Sequence, residues 1–591
     1  MPQQGALLMS DFQNAQTIDG FTMKLWRGER MCLIGFDVES PPADLVGFAI
    51  ECRFPGTDEF KPLPNRIAFA YDEPTHTAVD GQRKFSSLEA PFQKFRWVHV
   101  PHEVEHGTFT YRGRMMHMAN NGQLVPGTAI ELAIDLNPIS YEGILDIGFT
   151  RGFTSSQAFR DRVPAGVKVD VYGKSLIPSR TKDGLDHPKT ETAMYQWLGF
   201  EAVSMIFAVL DEVLQQPDTT LDVFAYDFNE PDILARLEAL GTRLRIIIDD
   251  AGDHAAADSC ETRAANRLLA SAGADRVRRS HFNGLQHHKV LIARRNGEPY
   301  QVLCGSTNFS FRGCYVQNNN ALLFKHPEVT DLFGRVFEAG FNDPKNFATS
   351  DLAQKWHVIE TRTAAAPGPR LHFCFSPHSS SDLSLGPIGE AIDQASRSVL
   401  FNIAFLNQIT SGPLHDSISR LYKRPVFNYG VTDKASGMDV IKPDGTSAEV
   451  DFAYLAKYAP EPFRSEWSGG TGISVHNKFV VTDFNLPSAK VFTGSSNLSI
   501  SGEEKNGDHL VLIEDQKIAV VYAIQALLIF DHLHFRSVMQ KAFSSADETQ
   551  GKQPPPLLLK KPTAISGQPA WFEAYYVAGS QKQGDRQLFS H

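Results

Sequence analysis

Two short stretches of this chain carry the same reactive groups at the same spacings. One runs from His287 to Gly313 (HHKVLIARRNGEPYQVLCGSTNFSFRG), the other from His476 to Gly502 (HNKFVVTDFNLPSAKVFTGSSNLSISG). At a single offset of 189 residues, His287 matches His476, Lys289 matches Lys478 and Gly305 matches Gly494. Ser306 with Ser495, Asn308 with Asn497 and Gly313 with Gly502 keep that offset, so the chain carries an internal duplication. In each copy His and Lys sit two residues apart in a strand-like apolar run, which puts both side chains on one face. The Gly-Ser-x-Asn that follows permits close backbone approach and adds a hydroxyl and an amide. Two copies facing across a twofold would gather two imidazoles, two ammonium groups and two amides around one point. That set suits a phosphodiester: one His attacks phosphorus, the other protonates the leaving oxygen, and Lys and Asn neutralise the non-bridging oxygens. The lysine pair would do the electrostatic work of a divalent cation, so neither a metal nor a cofactor is expected.

The paired stretches resemble the HxKxxxxD and GSxN motifs of the phospholipase D superfamily over roughly residues 190 to 545. The resemblance implies a metal-independent phosphodiesterase that works through a covalent phosphohistidine. It also implies a site on the axis between two α/β halves. His287, Lys289, Asn308, His476, Lys478 and Asn497 are the residues it assigns. Two departures lie in the first copy. The motif Asp is Asp483 in the second copy but Arg294 in the first, a loss that tyrosyl-DNA phosphodiesterases share. Family members place an acidic residue after the Asn to orient the imidazole; the second copy offers Asp508, the first Asn320. A carboxylate on Nδ1 raises basicity, so the expectation is His476 as nucleophile and His287 as acid. Family habit, with the N-terminal His as nucleophile, points the other way. Ser306 and Ser495 are expected to shape turns or touch phosphate, Asp483 to be structural, and His288 to point to the opposite face.

The elements that must position these groups read as an α/β chain with a β-rich preface. Residues 1–165 show short apolar-aromatic runs broken by Gly, Pro, Asn and Asp, the rhythm of a β-sandwich. Helices and strands then alternate over 190–348, and the order repeats over 371–545. Residues 349–370, with TRTAAAPGPR, read as a linker, and 546–591 as a Pro-rich tail ending in aromatics that could dock or remain mobile. His102 to His106 spells HEVEH, but HExxH binds zinc only on a helix, and the flanking Pro101 and Gly107 argue for strand or turn.

Composition narrows the rest. With 68 acidic against 57 basic residues the net charge is −11, so no global positive field recruits a polyanion, although a local basic cleft remains open. No apolar run approaches the roughly 20 residues of a membrane span, and the first residues lack a signal-peptide pattern. Six scattered cysteines suggest reduced thiols rather than disulfides or a zinc ribbon. A cytoplasmic location follows, and with it nucleic acid as the favoured substrate. A phospholipid is the alternative; it would want exposed apolar residues near the site, for which Phe309, Phe311, Phe484 and Leu498 are the candidates. A catalytically weakened binding scaffold is the third reading. Both halves lie in one chain, so no partner copy is needed to complete the site.

Overall fold

The computed structural model describes residues 11–71, 84–101, 106–152, 159, 184–186, 192–362, 368–434, scattered positions over 436–451, and 475–542 and 557–591. The HEVEH stretch falls almost wholly outside these residues, as only His106 is described.

Two antiparallel four-stranded sheets open the chain. One orders Gln13–Ile18, Phe21–Arg27, Cys32–Val38 and Arg96–His99; the other orders Leu124–Asp135, Thr108–Met118, Leu45–Arg53 and Lys61–Pro62. Their alternating inward residues close one core, as period-two patterning requires: Phe109 and Tyr111 are buried, while Thr110 and Arg112, which alternate with them, are not. Phe36 stacks on Phe48 at 4.4 Å within it.

The last strand of the β-rich region goes elsewhere. Leu145–Phe149 pairs antiparallel with Asn320–Phe324, so the structural boundary falls before residue 165. Leu145, Ile147 and Phe149 are buried together with Gly148, which suits a strand covered on both faces rather than a half-solvated one.

Two eight-stranded sheets follow. The first orders Ser140–Tyr141, Leu145–Phe149, Asn320–Phe324, Glu298–Gly305, Val290–Arg295, Thr219–Ala225, Leu244–Ile248 and Val277–Arg279. The second orders His357–Glu360, Arg370–Ser376, Asp508–Glu514, Lys490–Gly494, Lys478–Thr482, Ser398–Ile403, Phe427–Thr432 and Glu449–Asp451. The two orders correspond place for place, with the strand after each His in fifth position and the strand ending in each Gly in fourth. Part of the expected linker is therefore structural: His357–Glu360 pairs with Arg370–Ser376 and caps the second sheet.

Helices Pro327–Asn342 and Gln516–Ala542 lie in the core that both sheets share. Phe333 meets Phe373 and Phe375 of the second sheet, and Tyr522 meets Phe149 and Phe479, one from each sheet. The segment Gln516–Leu533 is long and apolar enough to cross a membrane, contrary to the expectation that no run was. Within the protein, however, 72% of it is buried, as befits a core helix. The aromatic tail docks, and chiefly on the N-terminal sheets: Trp571, Phe572 and Tyr575 join their core, and Trp571 Nε1 donates to the Leu45 carbonyl at 3.0 Å. Further on, Phe589 packs on Phe427 of the second large sheet.

Candidate active site

Each His precedes its strand by a short irregular link, and a carboxylate holds that link in both halves. Asp249 accepts from the Gln286 amide at 2.7 Å, and Asp433 from the Val475 amide at 3.1 Å. The two halves then clasp at these points. Gln286 bridges Gly507, Asn318 bridges Val475, and the His287 amide donates to the Gly507 carbonyl at 2.9 Å. Each motif is thus seated against the loop of the opposite half, which brings both into one buried space.

The imidazole partners cross over in the same way. His287 Nδ1 lies 2.7 Å from Asp508 Oδ1, and His476 Nδ1 lies 2.8 Å from Asn319 Oδ1. This corrects the sequence expectation, which gave Asp508 to His476. It also corrects the register: at the offset of 189, Asp508 matches Asn319, not Asn320. Asn320 instead donates its amide to Thr493 Oγ1 and Tyr522 Oη, both at 2.7 Å, and its Oδ1 accepts from the Ser306 amide. It is a brace between the sheets.

The remaining candidates divide into two groups. Lys289 and Lys478 are each 1% exposed and each donates to the carbonyl of the His two residues earlier. Lys289 lies 4.7 Å over the Tyr226 ring and Lys478 5.7 Å over Phe405, and those rings also sit edge-on to His287 and His476. Ser495 Oγ donates to Asp508 Oδ1 at 2.6 Å and accepts from the His509 amide, while Ser306 Oγ accepts from the Asn320 amide at 3.0 Å. Both serines are fully buried and knit adjacent strands. Asn308 Nδ2 donates to Asp227 Oδ2 at 3.3 Å; the side-chain oxygens of Asn308 and Asn497 are buried without a hydrogen-bond partner. Asp483 stands apart, accepting from the amides of Ser396, Arg397 and Ser398 at 2.7–3.2 Å. Five residues of strand separate it from Lys478, roughly 16 Å at strand rise. Arg294, its first-copy counterpart, pairs with Asp222 at 2.6 Å and Glu338 at 3.3 Å. His288 does point away from its neighbours' face, stacking on His509 with Nδ1 atoms 3.2 Å apart.

Burial and crowding set the charges. Burial lowers the His287 pKa against the pull of Asp508, and Lys289 lowers it further. Burial takes the Lys289 ammonium down to about 7, and burial with repulsion from Lys289 takes Lys478 well below its ordinary range. Burial alone would raise Asp508, yet His287, Lys289 and the Ser495 hydroxyl hold it well below the usual carboxylate range. Asp508, Asp227, Asp249 and Asp433 pull the two lysines back toward the charged form, but burial, and for Lys478 repulsion from Lys289, outweighs them.

Sequence reasoning missed Asp227 and its surroundings. His254 joins Asp227 at 3.1 Å and Asp249 at 2.8 Å; burial would lower it, but these carboxylates push it up to about 10. Asp227, His254 and Glu261 bring ligand atoms within 4.8 Å of one another, a spacing that could hold a metal. The imidazolium already supplies the cation, and Glu261 accepts from the Phe228 amide at 2.9 Å, so the group reads as an ion-pair brace behind Asn308. At the repeat offset Asp227 falls on Asp416, which lies in the helix Pro413–Leu421 and not beside the second motif, so that match gave no usable signal; for Asn319 the offset does lead to Asp508.

Residues 210–340 match the family model described as cardiolipin synthase, PLD-like domain, which supports the resemblance to the phospholipase D superfamily. No curated protein matches the chain. Among solved structures, it is similar to phosphatidylserine synthase from Haemophilus influenzae, at 13% identity and a TM-score of 0.40, over 56% of this chain and 85% of that one. Nuc of Salmonella typhimurium, a phospholipase D family member, aligns at 21% identity and a TM-score of 0.19, over 24% and 88%. Yeast tyrosyl-DNA phosphodiesterase aligns at 12% and 0.29, over 52% and 87%.

Proposed function

Taking as premise a chain whose residues 210–340 are phospholipase D-like, we propose a metal-independent phosphodiester hydrolase with His287 as nucleophile and His476 as acid. One observation carries the assignment: His287 has a carboxylate on Nδ1 and His476 has only an amide oxygen. Asp508 keeps Nδ1 protonated and leaves the Nε2 lone pair of His287 free and electron-rich. Asn319 orients His476 just as firmly but stabilises its imidazolium less, which makes it the readier proton donor.

Nε2 of His287 attacks phosphorus, and the bond to the leaving oxygen breaks as that oxygen takes the His476 proton. Water then attacks phosphorus, His476 accepts its proton, and the P–N bond breaks to restore His287. Lys289 and Lys478, recharged by the anion, and the amides of Asn308 and Asn497 balance the equatorial oxygens.

Nucleic acid is the substrate class we propose. Phe309, Phe311, Phe484 and Leu498, the residues a lipid-facing surface would draw on, are each 1% exposed and belong to the cores. Phospholipid is the alternative substrate, because the phosphodiester chemistry is common to both. The test offers labelled single-stranded DNA, duplex DNA, RNA and phosphatidylcholine vesicles to wild type in EDTA, beside His287→Ala and His476→Ala. His287→Ala should lose ~10³-fold or more of turnover. His476→Ala, given a substrate with an activated leaving group, should accumulate a phospho-enzyme labelled at residue 287. Label on His476 in the His287→Ala variant would reverse the roles, and turnover unaffected by either change would end the proposal.

A further inference from the structure

Behind His287 runs a chain of hydrogen bonds that takes no direct part in the displacement at phosphorus. His287 Nδ1 meets Asp508 Oδ1 at 2.7 Å, and Ser495 Oγ donates to that same oxygen at 2.6 Å. Ser495 Oγ in turn lies 3.2 Å from His509 Nδ1, which lies 3.2 Å from His288 Nδ1. All of these residues are 3% exposed or less. The His288 and His509 rings stack with planes 1° apart, inside a shell of Phe224, Phe282 and Phe333. Their Nε2 atoms have no hydrogen-bond partner among the described residues. Burying a polar atom unpaired costs free energy, and aliphatic side chains would fill such a space without that cost. Packing does not account for the pair.

The proton positions follow from what each atom can do. Burial pushes both imidazoles down, His509 to about 3, so both are neutral. An ionised carboxylate only accepts, so the Ser495 hydroxyl proton points at Asp508. The lone pairs of Ser495 Oγ remain: one takes the His509 backbone N–H at 3.1 Å, and the other faces His509 Nδ1. That contact is attractive only when Nδ1 carries the proton. His288 Nδ1 then presents its lone pair to the same N–H and keeps its own proton on Nε2. In the opposite tautomer, His509 Nδ1 would compete with Asp508 for the serine proton.

The first copy has no such chain. At the offset of 189, His509 falls on Asn320 and His288 on Asn477. Asn320 turns its side-chain amide to Thr493 and Tyr522, and Ser306 Oγ accepts from the Asn320 backbone N–H. The Asn477 side chain has no partner among the described residues. The chain therefore stands only behind the imidazole that carries a carboxylate.

We propose that His509 is a positioning residue: its Nδ1–H holds the Ser495 hydroxyl on Asp508, and His288 fixes the tautomer that allows this. The role rests on the reading of His287 as a nucleophile oriented by Asp508. The full chain, labelled with ¹⁵N at histidine, tests the proton positions without recourse to activity. His509 should show the Nδ1–H tautomer and His288 the Nε2–H tautomer, each signal identified by its loss in His509→Asn or His288→Asn. Turnover of bis(4-nitrophenyl) phosphate then tests the role. His509→Leu should lower kcat/KM about tenfold, as loss of an outer hydrogen-bond partner does elsewhere, and leave inhibition by dimethyl phosphate unchanged. His509→Asn keeps an N–H near the same place and should stay within about threefold of wild type. Ser495→Ala removes the hydroxyl through which His509 acts, so adding His509→Leu to it should cost less than about twofold more. An Nε2–H tautomer at His509, losses that multiply in the double variant, or His509→Asn as damaged as His509→Leu would each overturn the proposal. Turnover left intact by Asp508→Asn would instead overturn the catalytic reading beneath it, with the tautomers standing as measured.

Discussion

The two copies of the His-Lys motif share a backbone and differ in charge. Both imidazoles are held through Nδ1 by a residue of the opposite half at nearly the same distance, 2.7 and 2.8 Å. Behind His287 the holder is the ionised Asp508, tied also to Ser495; behind His476 it is the neutral Asn319. Duplication supplied two equal positions, and one atom exchange, carboxylate oxygen for amide nitrogen, made them unequal. A displacement at phosphorus needs this asymmetry, since one group must give electrons while the other gives a proton.

The largest test of the comparison makes the two copies alike. Asp508→Asn should lower turnover by ~10³-fold, as removing the orienting carboxylate of a catalytic His does elsewhere, while leaving circular dichroism unchanged. A loss no greater than that from Asn319→Ala would dissolve the distinction between the sites.

Next in size is a pH effect on ligand affinity. Lys289, at about 7 in the empty site, becomes charged when an anion binds, so binding takes up a proton. The affinity for dimethyl phosphate, a monoanion throughout this range, should therefore fall by up to tenfold per unit above pH 7. Calorimetry in buffers of different ionisation enthalpy reads the uptake; affinity independent of pH between 7 and 9 would mean that the lysine is charged from the start.

Making the copies alike from the other side is gentler. Asn319→Asp gives His476 a carboxylate, which stabilises its imidazolium and raises its pKa by about one unit. The acid then stays protonated to higher pH, so the alkaline limb of the rate profile should move up by about that amount. A limb that moves down would show that His476 works as the base.

The smallest effect belongs to the position where the motifs differ most visibly in sequence. Arg294→Ala leaves Asp222, 1% exposed, with Arg245 as its remaining partner at 2.7 Å. A cost of about 1–2 kcal/mol in chemical denaturation is expected, with turnover unchanged. A turnover defect would draw Arg294 into the site.

Sequence alone named the His, Lys and Asn pairs that the two halves carry into one buried space. Period-two alternation put each Lys beside its His, and the constant offset paired the strands that carry the motifs, because identical local patterns fold into identical local units. The same offset, followed to residue 319, names the partner of His476; the motif context points instead to Asn320, which is a brace. What the sequence could not decide was which half holds which imidazole. That depends on two backbone bridges, Gln286 to Gly507 and Asn318 to Val475, between residues more than 150 apart. The departure of Leu145–Phe149 to the first large sheet and the docking of Trp571 were likewise open, since an apolar strand or ring states that it must be buried without stating where. Identity and spacing determined which groups are available; the packing of one half on the other decided which histidine receives the carboxylate.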